Sequence, residues 1–186
     1  MTTREVIAAV VRELTDELVI CTTGFISRDT CAVKDRPGQF YMIGSMGLAP
    51  SIGLGLAVAR PRRRVVVFDG DGALLMALGT LAMVADLQPE NFYHLVFDNE
   101  AYASTGCQRT LSGRIALDAM AAAAGYRHVT RVPGADDPAA AYRALLREPG
   151  PGFLLVKCTA DGKAPSLRIP HEPPEITRRV AAAAAA

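Results

Sequence analysis

An aspartate between two glycines, Gly70-Asp71-Gly72, follows the apolar run Val65-Val66-Val67-Phe68 and precedes a stretch with helical apolar spacing. Glycines let the chain turn sharply there and let backbone N–H groups approach an anion closely. The positive end of a helix starting at this point favours a phosphate, while the Asp71 carboxylate repels one unless a cation lies between them. Mg²⁺ meets that requirement, because it takes six oxygens in near-octahedral array and seldom all of them from protein. Asn99 ends the next apolar run, Phe92 to Phe97, and its amide oxygen reaches the same sheet edge if the two strands are near neighbours. Asp71, Asn99, a backbone carbonyl just after Asn99, two diphosphate oxygens and one water complete such a sphere.

The elements that must position these groups follow from apolar periodicity. Val6, Ile7, Val10, Val11 and Leu14 recur at helical spacing, and Glu17 to Thr22 reads as a short buried strand. Thr23 to Gln39, rich in charge and glycine, reads as a loop with one helical turn before a strand at Phe40 to Ile43. Pro50 suits the first turn of a helix that runs to Ala59. Val65 to Phe68, a helix from Ala73 to Leu87 and a strand from Phe92 to Phe97 make one βαβ unit. Beyond a polar loop at Tyr102 to Gly113 come a helix (Ile115 to Gly125), a strand (Tyr126 to Val132), a helix (Pro138 to Arg147), a turn (Pro149 to Gly152) and a last strand (Phe153 to Cys158).

Strands apolar on both faces and alternating with helices predict an α/β fold of three layers, with a mostly parallel sheet of about six strands. In such a sheet ligands gather beyond the carboxyl ends of the strands, which singles out Gly44 to Gly47, Asp69 to Gly72 and Asp98 to Ala101. Residues 1–186 read as one domain, with 181–186, an alanine run, as a frayed helix end or tail without assigned function.

Lys and Arg total 20 against 19 Asp and Glu, so no global positive field is available to hold nucleic acid or an anionic membrane. The apolar runs fall well short of the roughly 20 residues that span a bilayer. Met1-Thr2-Thr3-Arg4-Glu5 leads into a charged amphipathic stretch without a signal core, which predicts a cytoplasmic protein. Cys21, Cys31, Cys107 and Cys158 form no CxxC pair, which argues against an iron–sulfur cluster or structural zinc site. His94, His128 and His171 form no metal-ligand motif, and His94 and His128 fall within strands. Gly53-Leu54-Gly55 lacks the third glycine of a dinucleotide fingerprint and reads as close helix packing, and Arg62-Arg63-Arg64 as a solvated turn.

Gly70-Asp71-Gly72, then 26 residues, then Asn99, resembles the signature of thiamine diphosphate enzymes. The resemblance implies Mg²⁺ held by Asp71, Asn99 and the carbonyl of Ala101, with Gly70, Gly72 and Ala73 beside the diphosphate. Gly44-Ser45-Met46-Gly47 resembles a second motif of the same superfamily, and Met46 stands 25 positions before Asp71 in agreement with the family spacing. By this similarity the Gly44 carbonyl accepts from the cofactor's 4′-amino group and Met46 supports its bent conformation, with Ser45 between them. Within the superfamily the stretch Leu18 to Thr110 is most similar to the diphosphate-binding part of sulfopyruvate and phosphonopyruvate decarboxylases. Thr23-Gly24-Phe25-Ile26-Ser27-Arg28, Lys34 to Gly38 and Tyr102 to Gly106 carry that subgroup likeness, which puts Ser27 and Arg28 near the diphosphate or substrate.

The implied reaction is loss of CO₂ from a 2-oxoacid to give an aldehyde, with thiamine diphosphate as the source of carbanion chemistry. A substrate with a second anion, sulfonate or phosphonate, calls for a cationic clamp; Arg28 and Arg109 are the candidates, with Arg36 next. The superfamily activates the cofactor with a glutamate from a separate pyrimidine-binding domain, for which this chain has no room. An α subunit carrying that domain is therefore the expected partner, in a hetero-oligomer or with self-association. The competing readings are a β subunit of a carboligase or 2-oxoacid oxidoreductase, and a non-catalytic cofactor-binding subunit.

Overall fold

The computed structural model describes residues 1–133, 136–160 and 166–186. Thr2 starts α1 (Thr3–Glu13) with a capping box: its hydroxyl accepts the Glu5 N–H while the Glu5 carboxylate accepts the Thr2 N–H. The helix buries Val6, Ile7, Val10 and Val11, as its spacing predicts. β1 (Leu18–Cys21) follows, buried throughout.

α2 (Phe25–Val33) is a nine-residue helix where one turn was expected. Its buried side includes Ser27, Asp29 and Thr30, so the polar residues that disguise it in sequence are the ones facing inward. β2 (Gln39–Tyr41) and α3 (Ala49–Ala59) come next. A Cβ on Gly53 would lie 2.4 Å from Val67 Cγ2, so this glycine does serve close packing of α3 on the sheet.

β3 (Val65–Gly70) extends two residues beyond the apolar run. The single helix expected after it is two, α4 (Asp71–Met76) and α5 (Gly79–Leu87). The chain tightens between them through Ala77 N–H to Leu74 O at 3.0 Å, and Gly79 disfavours continuing one helix. A six-residue α4 contributes less of a macrodipole than the long helix first inferred.

β4 (Phe92–Asp98) leads to a two-stranded antiparallel hairpin, β5 (Ala101–Tyr102) with β6 (Gln108–Arg109), inside the region expected as loop. α6 (Leu117–Ala124) ends at left-handed Gly125, and β7 (His128–Val132), α7 (Pro138–Leu145) and β8 (Gly152–Lys157) complete the sheet. The alanine run belongs to α8 (Pro173–Ala185), which buries Ile176, Val180 and Ala184. Arg60 Nε and a guanidinium nitrogen of Arg63 donate to the carbonyls of Ala184 and Ala183 at 2.9 and 2.7 Å. Arg63 thus caps a helix C-terminus, where a cation is favoured, rather than standing free in a turn.

The six-stranded sheet runs β2-β1-β3-β4-β8-β7, every pair parallel. Alternate residues face opposite layers: Val66 and Phe68 join the core under α1 and α7, and Val65 and Val67 the core under α3, α5 and α6. Successive strands proceed outward in opposite directions from β1 and β3, so the crevice beyond the carboxyl ends of those two is the topological switch point.

Candidate functional site

A cavity of about 220 Å³ opens at that switch point. Thr22 and Thr23 after β1, Gly70 to Ala73 at the end of β3 and the start of α4, and Asn99 and Ala101 after β4 all line it, with Met46 and Tyr102. Thr3 and Arg4 add a fifth segment, and the parallel register brings the ends of β1, β3 and β4 side by side.

Asp71 is 2% exposed. Its Oδ2 accepts the hydroxyl of Thr110 and lies 2.9 Å from Ser112 Oγ, which is also 2.8 Å from Asp98 Oδ1. Burial pushes the Asp71 carboxyl above the usual carboxylate range, the Thr110 hydroxyl opposes the rise, and neighbouring Asp98 adds to it. Asp98 is itself buried and paired with Lys157 at 2.8 Å; Lys157 also meets Glu100 at 2.6 Å.

Asn99 donates from Nδ2 to Thr3 Oγ1 at 3.1 Å, while its Oδ1 accepts the Ala101 N–H at 3.0 Å. Two side-chain oxygens, one of them a desolvated carboxylate, stand beside a backbone segment in one cavity. That hard-oxygen donor set fits Mg²⁺. Among the described residues no group of three or more His, Cys, Asp and Glu side chains offers an alternative metal site.

Gly72 meets the face of Tyr102: a Cβ there would lie 2.3 Å from Cε1 of the ring. Gly47, with φ of 94°, brings the Gly44–Gly47 turn against Ala73 and Met76, which carries half-buried Met46 into the cavity wall. Gly44 and Ser45 are exposed and line an adjoining groove with Ile43, Leu48 and Ile52.

The structure places the remaining candidates elsewhere. Ser27 is buried, with its hydroxyl directed at the carbonyls of Thr22 and Cys21, 2.8 and 3.1 Å away, and so steadies the end of β1 rather than facing the cavity. Arg28 donates to Leu167 O at 3.3 Å and stacks over Phe25; neither it nor exposed Arg109 lines the cavity. Arg36 binds the carbonyls of Thr15 and Glu17, at the amino end of β1, away from the ligand edge. The cationic side chain in the described lining is Arg4, 3.4 Å from Asp29 of the same wall.

Sequence reasoning also missed Thr3, Thr110 and Ser112, which belong to no motif and act through partners distant in the chain. It missed the role of His94 as well, a fully buried residue whose ring nitrogens meet Asp69 Oδ2 at 3.2 Å and the Tyr126 hydroxyl at 3.3 Å.

Residues 22–156 match the family described as thiamine pyrophosphate enzyme, C-terminal TPP binding domain. A phosphonopyruvate decarboxylase of Streptomyces hygroscopicus is 44% identical over 161 residues, 87% of this chain and 40% of that one. A sulfopyruvate decarboxylase subunit beta of Methanothermobacter thermautotrophicus is 49% identical over 122 residues, 66% of this chain and 65% of that one. The chain thus spans about two fifths of the first relative and just under two thirds of the second. Among solved structures, the thiamine diphosphate-dependent 4-hydroxybenzoylformate decarboxylase of Rhodococcus jostii RHA1 superposes with a TM-score of 0.73 at 18% identity, over 88% of this chain and 33% of that one. At that identity the likeness concerns the fold.

Proposed function

The chain belongs to the thiamine pyrophosphate enzymes, through their C-terminal TPP binding domain, and from that premise we propose that it is the diphosphate-binding subunit of a Mg²⁺-dependent 2-oxoacid decarboxylase. Its substrate is sulfopyruvate or phosphonopyruvate, a reading supported by the two relatives of 44% and 49% identity. The observation that carries the proposal is the meeting of Asp71, Asn99, Ala101 and Met46 in one cavity at the switch point.

Asp71, Asn99 and the Ala101 carbonyl hold the metal; Gly70, Gly72 and Ala73 let the backbone approach the diphosphate. Gly44 and Met46 address the other end of the cofactor. Bound there, thiamine diphosphate supplies the carbanion chemistry of decarboxylation. Phe25, Ile26 and Tyr102 make the wall largely apolar, which keeps water from the charged groups inside and strengthens their mutual attraction.

No glutamate lines the cavity among the described residues. The activating acid comes instead from an α subunit with a pyrimidine-binding domain, and residues 1–186 act as one diphosphate-binding domain. Exposed Ile43, Leu48 and Ile52 beside the Gly44–Met46 turn support docking at this rim. The test is CO₂ release on adding candidate α subunits, with sulfopyruvate, phosphonopyruvate and pyruvate supplied in turn. Activity is expected only in the mixture and only with an anionic side group on the substrate. Robust decarboxylation by the purified chain alone refutes the two-subunit reading, and carboligation without aldehyde release refutes the reaction.

A further inference from the structure

Both side chains assigned to the metal offer a choice of atoms, and the fold makes that choice with hydroxyl groups. Asp71 has two equivalent oxygens. Thr110 and Ser112 both address Oδ2, so neither hydroxyl competes with a ligand for Oδ1. Asn99 can present either oxygen or an NH₂ group, and only the oxygen ligates a cation. Its Oδ1 accepts a backbone N–H, from Ala101, so the other end must be the NH₂, and that end donates to Thr3 Oγ1. The Thr3 hydroxyl in turn has Thr159 O within 3.3 Å as its own acceptor, so it is free to accept from Asn99 without leaving its proton unpaired.

These hydroxyls are fixed in place. Thr110 is 1% and Ser112 7% exposed, 2.9 Å apart, and the Thr110 N–H is bonded to Glu100 O at the base of the β5–β6 hairpin. Thr3 sits in the first turn of α1, with its N–H bonded to Thr159 O at 3.0 Å. α1 and the segment after β6 thus converge on the two assigned ligands from opposite sides of β4.

We propose that Thr3, Thr110 and Ser112 are positioning residues that set the ligating oxygen of Asn99 and of Asp71 before the metal arrives. The inference rests on the assignment of Mg²⁺ to Asp71 and Asn99 above. Partners of this kind characteristically change metal affinity by about 10–100-fold when removed.

The test is calorimetric titration of Mg²⁺ into the full chain with thiamine diphosphate at fixed concentration, for wild type, Asp71→Ala, Thr110→Val, Ser112→Ala and Thr3→Val. The Mg²⁺ concentration for half-maximal cofactor binding should rise about 10–100-fold in Thr110→Val and Thr3→Val, and less in Ser112→Ala, where Thr110 still holds Oδ2. Thr110→Ser and Thr3→Ser restore the hydroxyl and should return the midpoint to near wild type, a rescue that separates positioning from loss of packing. Melting of the metal-free variants checks folding, and a variant that fails to fold is replaced by its serine–alanine pair at the same position. Wild-type midpoints in the valine variants overturn the inference while leaving the metal assignment standing. Equal binding by wild type and Asp71→Ala overturns the metal assignment and this inference with it.

Discussion

Asp69 and Asp71 stand two residues apart on one turn, both buried, yet their surroundings differ in kind. Asp69 is closed in: its Oδ1 takes the Gly70 N–H and its Oδ2 meets His94, whose ring packs edge-on against Phe153 and contacts Tyr126. Asp71 has both of its hydroxyl partners on Oδ2 and lines the cavity. A carboxylate whose partners are all internal serves the fold. One whose hydroxyl partners gather on a single oxygen at a cavity wall is placed to meet a ligand. Alternation along β3 turns Asp69 to the same face as Val65 and Val67, and what separates Asp71 from it is that the strand ends at Gly70 and α4 begins.

The largest expected effect breaks the cavity side. Asp71→Ala should abolish Mg²⁺-dependent cofactor retention, read by calorimetry, while the metal-free protein melts at or above the wild-type temperature because a desolvated carboxylate has been removed. A clear drop in melting temperature would place Asp71 with Asp69 as a structural group. On the closed side, His94→Phe leaves Asp69 Oδ2 and the Tyr126 hydroxyl without the ring nitrogens and should cost about 2–4 kcal/mol in denaturant unfolding. Cofactor affinity of the folded fraction should change little; a loss as large as that of Asp71→Ala would erase the contrast.

Met46→Ala sharpens the contrast on the cavity side. Turnover in the reconstituted complex should fall by roughly tenfold or more through loss of cofactor orientation, with stability changed less, since Met46 is only half buried. Full turnover would remove Met46 from the site.

The smallest effect lies far from both aspartates, at Asp35. Burial would raise its carboxyl, but hydrogen bonds from Arg179, His171 and Tyr41 more than reverse this and hold it below the usual range. A depressed carboxyl contributes stability above the unfolded value of about 3.9 and loses it as pH falls through the lower folded value. Denaturant midpoints taken from pH 6 down to 3 should therefore decline less steeply in Asp35→Asn than in wild type. Equal slopes would show that the tie of α8 to the loop after α2 carries no ionic contribution.

The sheet and the Asp71–Asn99 pair were legible because parallel strands buried on both faces write themselves as apolar runs, and a turn at their carboxyl ends needs glycine. α2 was not legible, because Ser27, Asp29 and Thr30 face inward and erase the amphipathic pattern. Arg28 and Arg109 looked plausible as a clamp since a sequence shows charge without direction; among the described residues Arg4, in the first helical turn, is the cation on the cavity wall. Thr3, Thr110 and Ser112 carry no local signal, because their partners lie 96, 39 and 41 residues away.

The two ends of the sheet decide how this protein can meet other chains. β2, at one edge, lies under α8, whose last turns are pinned by Arg60 and Arg63. β7, at the other, carries exposed Thr130 and Arg131, and a charged side chain on an edge strand opposes stacking against another copy of itself. Strand addition is thus discouraged at both margins, which leaves association to side-chain surfaces whose shape can discriminate one companion from another.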